Sequence, residues 1–267
     1  MGGRILHISD LHVGVNDAGR ADVEDAVHLL AAELEPELVL VTGDLTHRNR
    51  PEQHEQAAAF LQSLERPLLV IPGNHDIPAL PPARLSTPFS TFSRFWSELE
   101  PAYQSDQLAV AALNSVRPLK YQRGALDIDQ LEHAAAVLHD AAPRALRVVA
   151  LHHHLAGAPW RSGKRSIPRR TRALRELAAG GAELVVGGHT HQACVIARRE
   201  FDRDGPSVVL AIAPGLTRRR PDRHFEGNGL NLYEATDREL HIVTYAWNGG
   251  GFEPAADRGF PRSRTDS

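Results

Sequence analysis

The chain has 267 residues, of which 42% are apolar and 24% are charged, and its formal net charge is −3. This balance is ordinary for a globular enzyme and gives no overall bias toward nucleic acid or an anionic membrane surface. The single cysteine, Cys194, excludes an internal disulfide, and no apolar stretch approaches the ~18 residues that a membrane-spanning helix needs. We therefore expect a cytoplasmic protein.

The first part of the chain alternates short apolar runs with helical patterns. Runs ending at Ile8, Val41 and Ile71 predict strands that are buried on both faces. Apolar residues at steps of four and three from Val23 to Leu34 predict an amphipathic helix between the first two runs. Pro51 predicts the start of a second helix, because a missing N–H costs nothing in the first turn.

The middle of the chain is less regular. Residues 79–101 are rich in Pro, Ser and Phe and predict short helices and loop at one edge of the site, and whether they form a lid stays open. The pair Asp129 and Glu132 has the spacing of a capping box, which predicts a helix through His139. Apolar runs before His152 and Gly188 predict two further buried strands.

After His191 the pattern changes to four strand-like runs joined by turns, at 194–199, 208–213, 230–235 and 240–247. Sequential βαβ units followed by such a meander predict an α/β fold with four layers. In this α-β-β-α sandwich, two mixed β-sheets pack face to face and helices flank them. We expect one domain over residues 1–247 and a loosely ordered tail over residues 248–267, which are rich in Gly, Pro and charge.

Metal-type ligands follow five of the predicted strands directly. The clusters are Asp10-x-His12, Gly43-Asp44, Gly73-Asn74-His75-Asp76, His152 and Gly188-His189-Thr190-His191. Residues two apart at a strand end point to the same side, and the carboxyl edge of an open α/β sheet is where ligands bind. Carboxylates, imidazoles and one amide oxygen suit Mn, Fe or Zn. Seven donors exceed what one ion needs, so we expect two ions that share a carboxylate.

The ordered set of motifs resembles the calcineurin-like metallophosphoesterase superfamily from about Ile5 to His191. It is most similar to the bacterial cyclic-nucleotide phosphodiesterase-like (class III) group, because Gly-Asp-Leu, Pro-Gly-Asn-His-Asp and a Gly-x-Leu-x-x-x-Gln-Leu stretch from Gly124 to Leu131 are present. The resemblance implies the metallophosphoesterase type of sandwich and a binuclear metal centre.

The resemblance also implies roles for individual residues. One ion would be held by Asp10, His12 and His191, the other by Asn74, His152 and His189, and Asp44 would bridge the two ions. His75 would donate a proton to the leaving group and would be steadied by Asp76.

The implied activity is hydrolysis of a phosphoester, most of all a phosphodiester, by a hydroxide that bridges two metal ions. A cyclic nucleotide is one possible small substrate, and neither a membrane nor a nucleic acid is the favoured partner. The alternatives are a nuclease or a phosphomonoesterase on the same metal core, or a non-catalytic scaffold. A scaffold is disfavoured because all the expected ligands are present.

Several points stay open at this level. His153 is the alternative ligand to His152, because the usual proline soon after this position is replaced by Leu155-Ala156-Gly157. The arginine-rich segments 161–175 and 218–223 are either solvated charge or substrate contacts. The metal identity, the natural substrate and the oligomeric state are also undetermined. The remaining histidines are predicted to be structural or solvated: His7, His28, His54, His133, His139 and His241.

Overall fold

The computed structural model describes residues 2–15, 19–120, 122–155, 164–197, 208–216 and 228–262. The strands are β1 (Gly3–Ile8), β2 (Leu38–Val41), β3 (Leu68–Val70), β4 (Ala102–Gln104), β5 (Leu108–Leu113), β6 (Leu146–Leu151), β7 (Leu184–Gly187), β8 (Cys194–Ala197), β9 (Val209–Ile212), β10 (Gly229–Ala235), β11 (Glu239–Trp247) and β12 (Phe252–Pro261). The helices are α1 (Arg20–Leu34), α2 (Pro51–Gln62), α3 (Ala83–Ser86), α4 (Ile128–His139) and α5 (Arg170–Ala179), with a 3₁₀ turn at Phe92–Arg94. Within these residues, no helix combines the length and the apolar character that crossing a bilayer requires.

The strands form two sheets of six. The first sheet has the order β12-β11-β10-β1-β2-β3, and the second has the order β4-β5-β6-β7-β9-β8. In the first sheet β1, β2 and β3 are parallel, and the meander β10 to β12 adds antiparallel strands beside β1. In the second sheet β5, β6, β7 and β9 are parallel, and β4 and β8 are antiparallel edge strands.

Successive side chains along the buried strands point to opposite faces of their sheet and so into different layers of the fold. In β1, Ile5 packs between the two sheets, whereas Leu6 packs outward against a core that includes Val27 of α1. The same alternation in β5 directs Val110 between the sheets and Ala111 toward the core that contains α4 and α5. The described residues therefore form three apolar cores, one between the sheets and one beneath each helical layer. The predicted four-layer α-β-β-α sandwich is confirmed.

The parallel strands deliver their carboxyl ends to one region of the molecule. In the first sheet β1, β2 and β3 end just before Asp10, Asp44 and Asn74. In the second sheet β6 and β7 end just before His152 and His189. Because the two sheets pack face to face, these ends meet at one rim of the sandwich.

The prediction of a loosely ordered tail is wrong for residues 252–261. These residues form β12, which pairs along all of β11 and stands at the edge of the first sheet. Phe260 is buried in the core between the sheets, and Arg262 donates to both carboxylate oxygens of Glu183 at 2.7 and 2.8 Å. The pattern is hidden in the sequence because an edge strand tolerates Pro and Gly and exposes most of its side chains.

The start of α4 also differs from the prediction. The helix begins after Asp127, and the capping box joins Asp127 to Gln130 rather than Asp129 to Glu132. The backbone N–H of Asp127 donates to Oε1 of Gln130 at 2.9 Å. Asp127 and Asp129 are each followed three residues later by Gln or Glu, so the sequence allows two capping boxes. The structure has the first of them.

We predict that Phe260→Ala lowers the free energy of unfolding by about 3 kcal/mol, because it leaves a cavity in the core between the sheets. Chemical denaturation of the purified protein measures this change. Glu253→Ala is the matched control on the same strand, since Glu253 is exposed, and it should change stability by less than about 0.5 kcal/mol. Equal stability of the two variants would show that β12 is not part of the folded core.

Candidate metal centre

The first group of expected ligands surrounds one small volume. Nε2 of His12 lies 3.2 Å from Nε2 of His191 and 3.6 Å from Oδ2 of Asp44. Oδ1 of Asp10 lies 3.2 Å from Nε2 of His191. Ligand atoms that bind one ion at about 2.1 Å lie roughly 3.0 to 3.5 Å from one another. These four atoms therefore have the spacing of a metal site.

The second group is adjacent to the first. Nε2 of His152 lies 3.4 Å from Oδ1 of Asp44, 3.2 Å from Oδ1 of Asn74 and 3.2 Å from Nδ1 of His189. His152, Asp44, Asn74 and His189 are all buried, with at most 1% of each residue exposed. This group has the same spacing as the first and brings together ligands from both sheets.

Asp44 belongs to both groups, with one carboxylate oxygen on each side. Oδ2 faces His12 in the first group, and Oδ1 faces His152 in the second. Burial alone would raise the pKa of Asp44, but the neighbouring imidazoles of His152, His75 and His12 outweigh it and hold the pKa well below its usual value. Asp44 is therefore ionised and placed to be shared.

The ionisation of the histidines fits ligation. Burial lowers the pKa of His191 to about 3 and that of His189 well below its usual value, so both rings are neutral, which is the form that binds metal. Although burial opposes it, the carboxylate of Asp44 raises the pKa of His152 to about 9. Asp44 thus favours a cation at the position of His152.

Contacts behind the ligands fix which nitrogen faces the centre. Nδ1 of His152 is 2.7 Å from the carbonyl oxygen of Thr42, and Nε2 of His189 is 3.1 Å from that of Gln122. A carbonyl only accepts, so these nitrogens carry protons and the opposite nitrogens face the centre. Oδ1 of Asp10 is buried and forms no hydrogen bond within the described residues, although Nε2 of His191 is near. Together these features fit two cations.

The backbone at this rim is strained. Five of the seven expected ligands have positive φ: Asp10 at 56°, His12 at 47°, Asp44 at 53°, His189 at 68° and His191 at 57°. Non-glycine residues rarely adopt this conformation, which costs on the order of 1 to 2 kcal/mol each, and such strain concentrates at functional sites. The turns it creates bring both ligands of each two-residue pair to the same centre.

Glycines allow the ligand loops to approach one another. A Cβ on Gly73 would lie 2.1 Å from the backbone nitrogen of Asp44, and one on Gly188 would lie 1.8 Å from Oγ of Ser9. The sequence predicts that Gly43 and Gly73 let backbone come close to an ion. In the structure they let the ends of β2 and β3 pack against each other, since a Cβ on Gly43 would lie 2.4 Å from the nitrogen of Gly73.

A buried chain of side chains, which the sequence does not predict, supports Asp10 from behind. Ser9 Oγ donates to Asp10 Oδ2 at 2.7 Å, and Thr42 Oγ1 donates to Ser9 Oγ at 2.9 Å. Nε2 of His7 is 2.8 Å from Thr42 Oγ1, and its Nδ1 is 2.7 Å from the hydroxyl of Tyr233. His7 is therefore structural, as predicted, but it acts through two hydroxyls on an expected ligand. A histidine inside the apolar run of β1 was the available signal.

The tautomer of His7 follows from this chain. Burial lowers the pKa of His7 to about 3, so the ring is neutral. Thr42 uses its only proton toward Ser9, so Nε2 of His7 must donate to Thr42 and Nδ1 must accept from Tyr233. All donors then point toward the carboxylate of Asp10, which keeps its charge and its orientation.

Hydrogen bonds to backbone hold both His75 and Asp76 in place. Nδ1 of His75 is 2.9 Å from the carbonyl oxygen of His47. The carboxylate of Asp76 instead accepts from the backbone of Gly73, Leu45 and Thr46 at 2.8 to 3.1 Å, and from the Thr46 hydroxyl. Asp76 therefore holds the second and third ligand loops together, and the carbonyl oxygen of His47 helps to orient His75.

The two candidate ligand histidines, His152 and His153, differ in their contacts. Nδ1 of His153 is 2.9 Å from Oγ of Ser115, whereas His152 has the contacts to Asp44 and Asn74 described above. This geometry favours His152 over His153 as the ligand. The sequence did not single out His47, whose ring stacks on His75 with centroids 5.8 Å apart. Its position three residues after Asp44 was the only signal.

The first of the two arginine-rich segments lies beside the second ligand group. The described part of the segment 161–175 runs from Lys164 into α5 and lies beside His189, since Nζ of Lys164 donates to the carbonyl oxygen of His189. The segment 218–223 lies outside the described residues.

The family of this chain follows from comparison with known proteins. A family model described as calcineurin-like phosphoesterase matches residues 3–193. The chain belongs to the calcineurin-like phosphoesterase family. This match spans all the expected ligands, and it confirms at the level of the family the prediction of a metal-dependent phosphoester hydrolase.

Relatives of the chain carry phosphodiesterase names. It is 40% identical over 83 residues to the glycerophosphodiester phosphodiesterase GpdQ of Enterobacter lignolyticus, a match covering 27% of this chain and 29% of the relative. It is 31% identical over 205 residues to a probable cyclic nucleotide phosphodiesterase of Synechococcus sp., covering 73% of this chain and 75% of the relative. The chain thus matches well under half the length of the first relative and three quarters of the second.

A solved structure shows the same fold. A dimetal phosphatase from Danio rerio superposes with a TM-score of 0.68 at 13% identity, covering 98% of this chain and 99% of that one. The likeness places this chain in the metallophosphoesterase fold.

We predict that Gly188→Ala lowers the affinity for Mn²⁺ by about 10- to 100-fold, because the new Cβ displaces Ser9 and Asp10. Equilibrium dialysis against Mn²⁺ measures this. Gly250→Ala is the control, since a Cβ there would have no atom nearer than 3.8 Å and neither glycine has a positive φ. Unchanged affinity in Gly188→Ala would show that Asp10 is not a ligand.

Proposed function

We propose that this chain hydrolyses phosphodiesters at a binuclear centre held by Asp10, His12, Asp44, Asn74, His152, His189 and His191. The observation that carries the proposal is the division of the Asp44 carboxylate, with one oxygen facing each group of donors. Carboxylates, imidazoles and an amide oxygen favour Mn, Fe or Zn. Two such cations would lower the pKa of a water molecule and neutralise charge on the phosphoryl oxygens.

The protein's part in the reaction begins with positioning. The strained turns and the chain from His7 to Asp10 hold the donors in place before substrate binds, so that no reorganisation is needed during the reaction. Among the described residues beside the centre, His47 and His75 are partly exposed, whereas the seven expected ligands are buried.

His75 is suited to protonate the leaving group. Its backbone N–H donates to Oδ1 of Asp44 at 2.8 Å, which fixes it beside the centre, and its Nδ1–H donates to the carbonyl of His47. A proton transferred to an alkoxide would then come from Nε2. Imidazole groups perform such transfers near neutral pH. Asp76 contributes by fixing the loop on which His75 stands.

The choice of a diester rests on the relatives, two of which carry names for diester hydrolysis. A cyclic nucleotide is one substrate of suitable size. We also propose a cytoplasmic location, because a chain with a single cysteine has no internal disulfide that would need an oxidising compartment.

The first test is turnover by the purified protein with Mn²⁺. We expect faster hydrolysis of bis-p-nitrophenyl phosphate than of p-nitrophenyl phosphate, and hydrolysis of cyclic AMP above that of single-stranded DNA. Faster hydrolysis of the monoester would make the protein a phosphomonoesterase, and preference for DNA would make it a nuclease. No turnover with both ions bound would indicate a scaffold.

The second test concerns His75. We predict that His75→Ala lowers kcat for cyclic AMP by about 10²- to 10⁴-fold while bound metal stays the same. The loss should be much smaller for bis-p-nitrophenyl phosphate, because nitrophenolate leaves without a proton donor. His241→Ala is the control, since His241 lies on β11 and pairs with Glu239 and Asp257. An equal loss of kcat for both substrates would show that His75 is not the general acid.

A further inference from the structure

A basic cleft lies beside the second ligand group. It has a volume of about 500 Å³, and none of the described residues that line it is acidic. Five cationic side chains line it: Arg123, Lys164, Arg165, Arg169 and Arg170. We refer to these five residues as the basic cleft. Its volume is within the range of small-molecule sites.

Lys164 of the basic cleft and Gln122, the neighbour of Arg123, both contact His189. Nζ of Lys164 donates to the carbonyl oxygen of His189 on one side. On the other side Gln122, which precedes Arg123, places its carbonyl oxygen 3.1 Å from Nε2 of His189. The basic cleft therefore lies directly beside His189, one of the expected metal ligands.

Four of the five cations of the cleft have no carboxylate partner within the described part of the chain. Among the described residues, no ion pair joins Arg123, Arg165, Arg169 or Arg170 to a carboxylate, whereas Arg117 nearby pairs with Asp127 at 2.7 Å. Helix α5 begins at Arg170 and has no acidic residue in its first turn. Like charges held together raise the electrostatic free energy, and an anion in the cleft would lower it.

We propose that the basic cleft binds a second phosphate group of the substrate, one that is not hydrolysed. The inference rests on the proposed function and narrows it to phosphodiesters that carry a further phosphate. Guanidinium groups bind phosphate through paired hydrogen bonds, so several arginines suit a phosphate better than a neutral sugar or base. The second phosphate is either a terminal phosphate of a small nucleotide or the next phosphate of an oligonucleotide.

A matched pair of substrates tests the proposal. Thymidine 5′-(p-nitrophenyl phosphate) is compared with the same compound carrying a 3′-phosphate, both with Mn²⁺. We expect the 3′-phosphate to raise kcat/KM by about 10-fold, mainly through KM, because a remote contact is made equally in the ground and transition states. The advantage should shrink between 50 and 200 mM salt, as phosphate contacts do.

Variants locate the effect. The double variant Arg165→Gln with Arg169→Gln should bring the ratio of the two kcat/KM values close to one. Arg175→Gln is the control, since Arg175 is exposed on α5 but does not line the cleft, and it should keep the wild-type ratio. A wild-type ratio near one, or an equal change in the control, would overturn the proposal and leave the arginines as solvated surface charge.

Binding without catalysis separates this proposal from the proposed function. Calorimetry on metal-depleted protein should show that thymidine 3′,5′-bisphosphate binds about 10-fold more tightly than thymidine 5′-monophosphate, and that the double variant loses the difference. Tetrathymidylate that binds still more tightly would identify the oligonucleotide as the source, and weaker binding would identify the small nucleotide. If no nitrophenyl diester is hydrolysed but the bisphosphate still binds more tightly, the proposed activity is wrong and phosphate binding by the basic cleft is supported. Equal binding of the two thymidine nucleotides overturns the cleft.

Discussion

The carboxylate of Asp44 lies between two sets of donors that come from different sheets, and much of the architecture follows from this arrangement. Asp10, His12 and Asn74 approach it from the first sheet, and His152, His189 and His191 approach it from the second. Two buried carboxylates and a cluster of imidazoles are expensive to hold together without compensating positive charge. Cations on both sides of Asp44 would compensate that charge and would tie the two sheets together at this rim.

The surrounding structure maintains the centre at a local energetic cost. The left-handed backbone at each of five ligands would destabilise an ordinary loop. Three buried apolar cores, with strands that contribute to both faces of each sheet, provide the stability that offsets this strain. Behind Asp10, the hydroxyls of Ser9 and Thr42 and the ring of His7 form a chain in which each group has its partner. The site is rigid because its supports are buried.

The sequence was sufficient for the fold and the ligand clusters because both depend on local patterns. Apolar runs ending in Asp, Asn or His identify β1, β2, β3, β6 and β7, and the spacing of Asp10 and His12 identifies a shared direction. The features that the sequence did not predict depend on contacts between distant segments of the chain. The bonds of Asp76 to Leu45 and Thr46, and the hydroxyl of Tyr233 against His7, join residues far apart in the chain. The strand β12 was missed because its one buried residue, Phe260, gives no periodicity.

Metal stoichiometry tests the central claim most directly. Protein saturated with Mn²⁺, freed of unbound metal and analysed for its elements should contain two transition-metal atoms per chain. At most one atom per chain, with all seven ligand residues intact, would contradict the sharing of Asp44 between two cations.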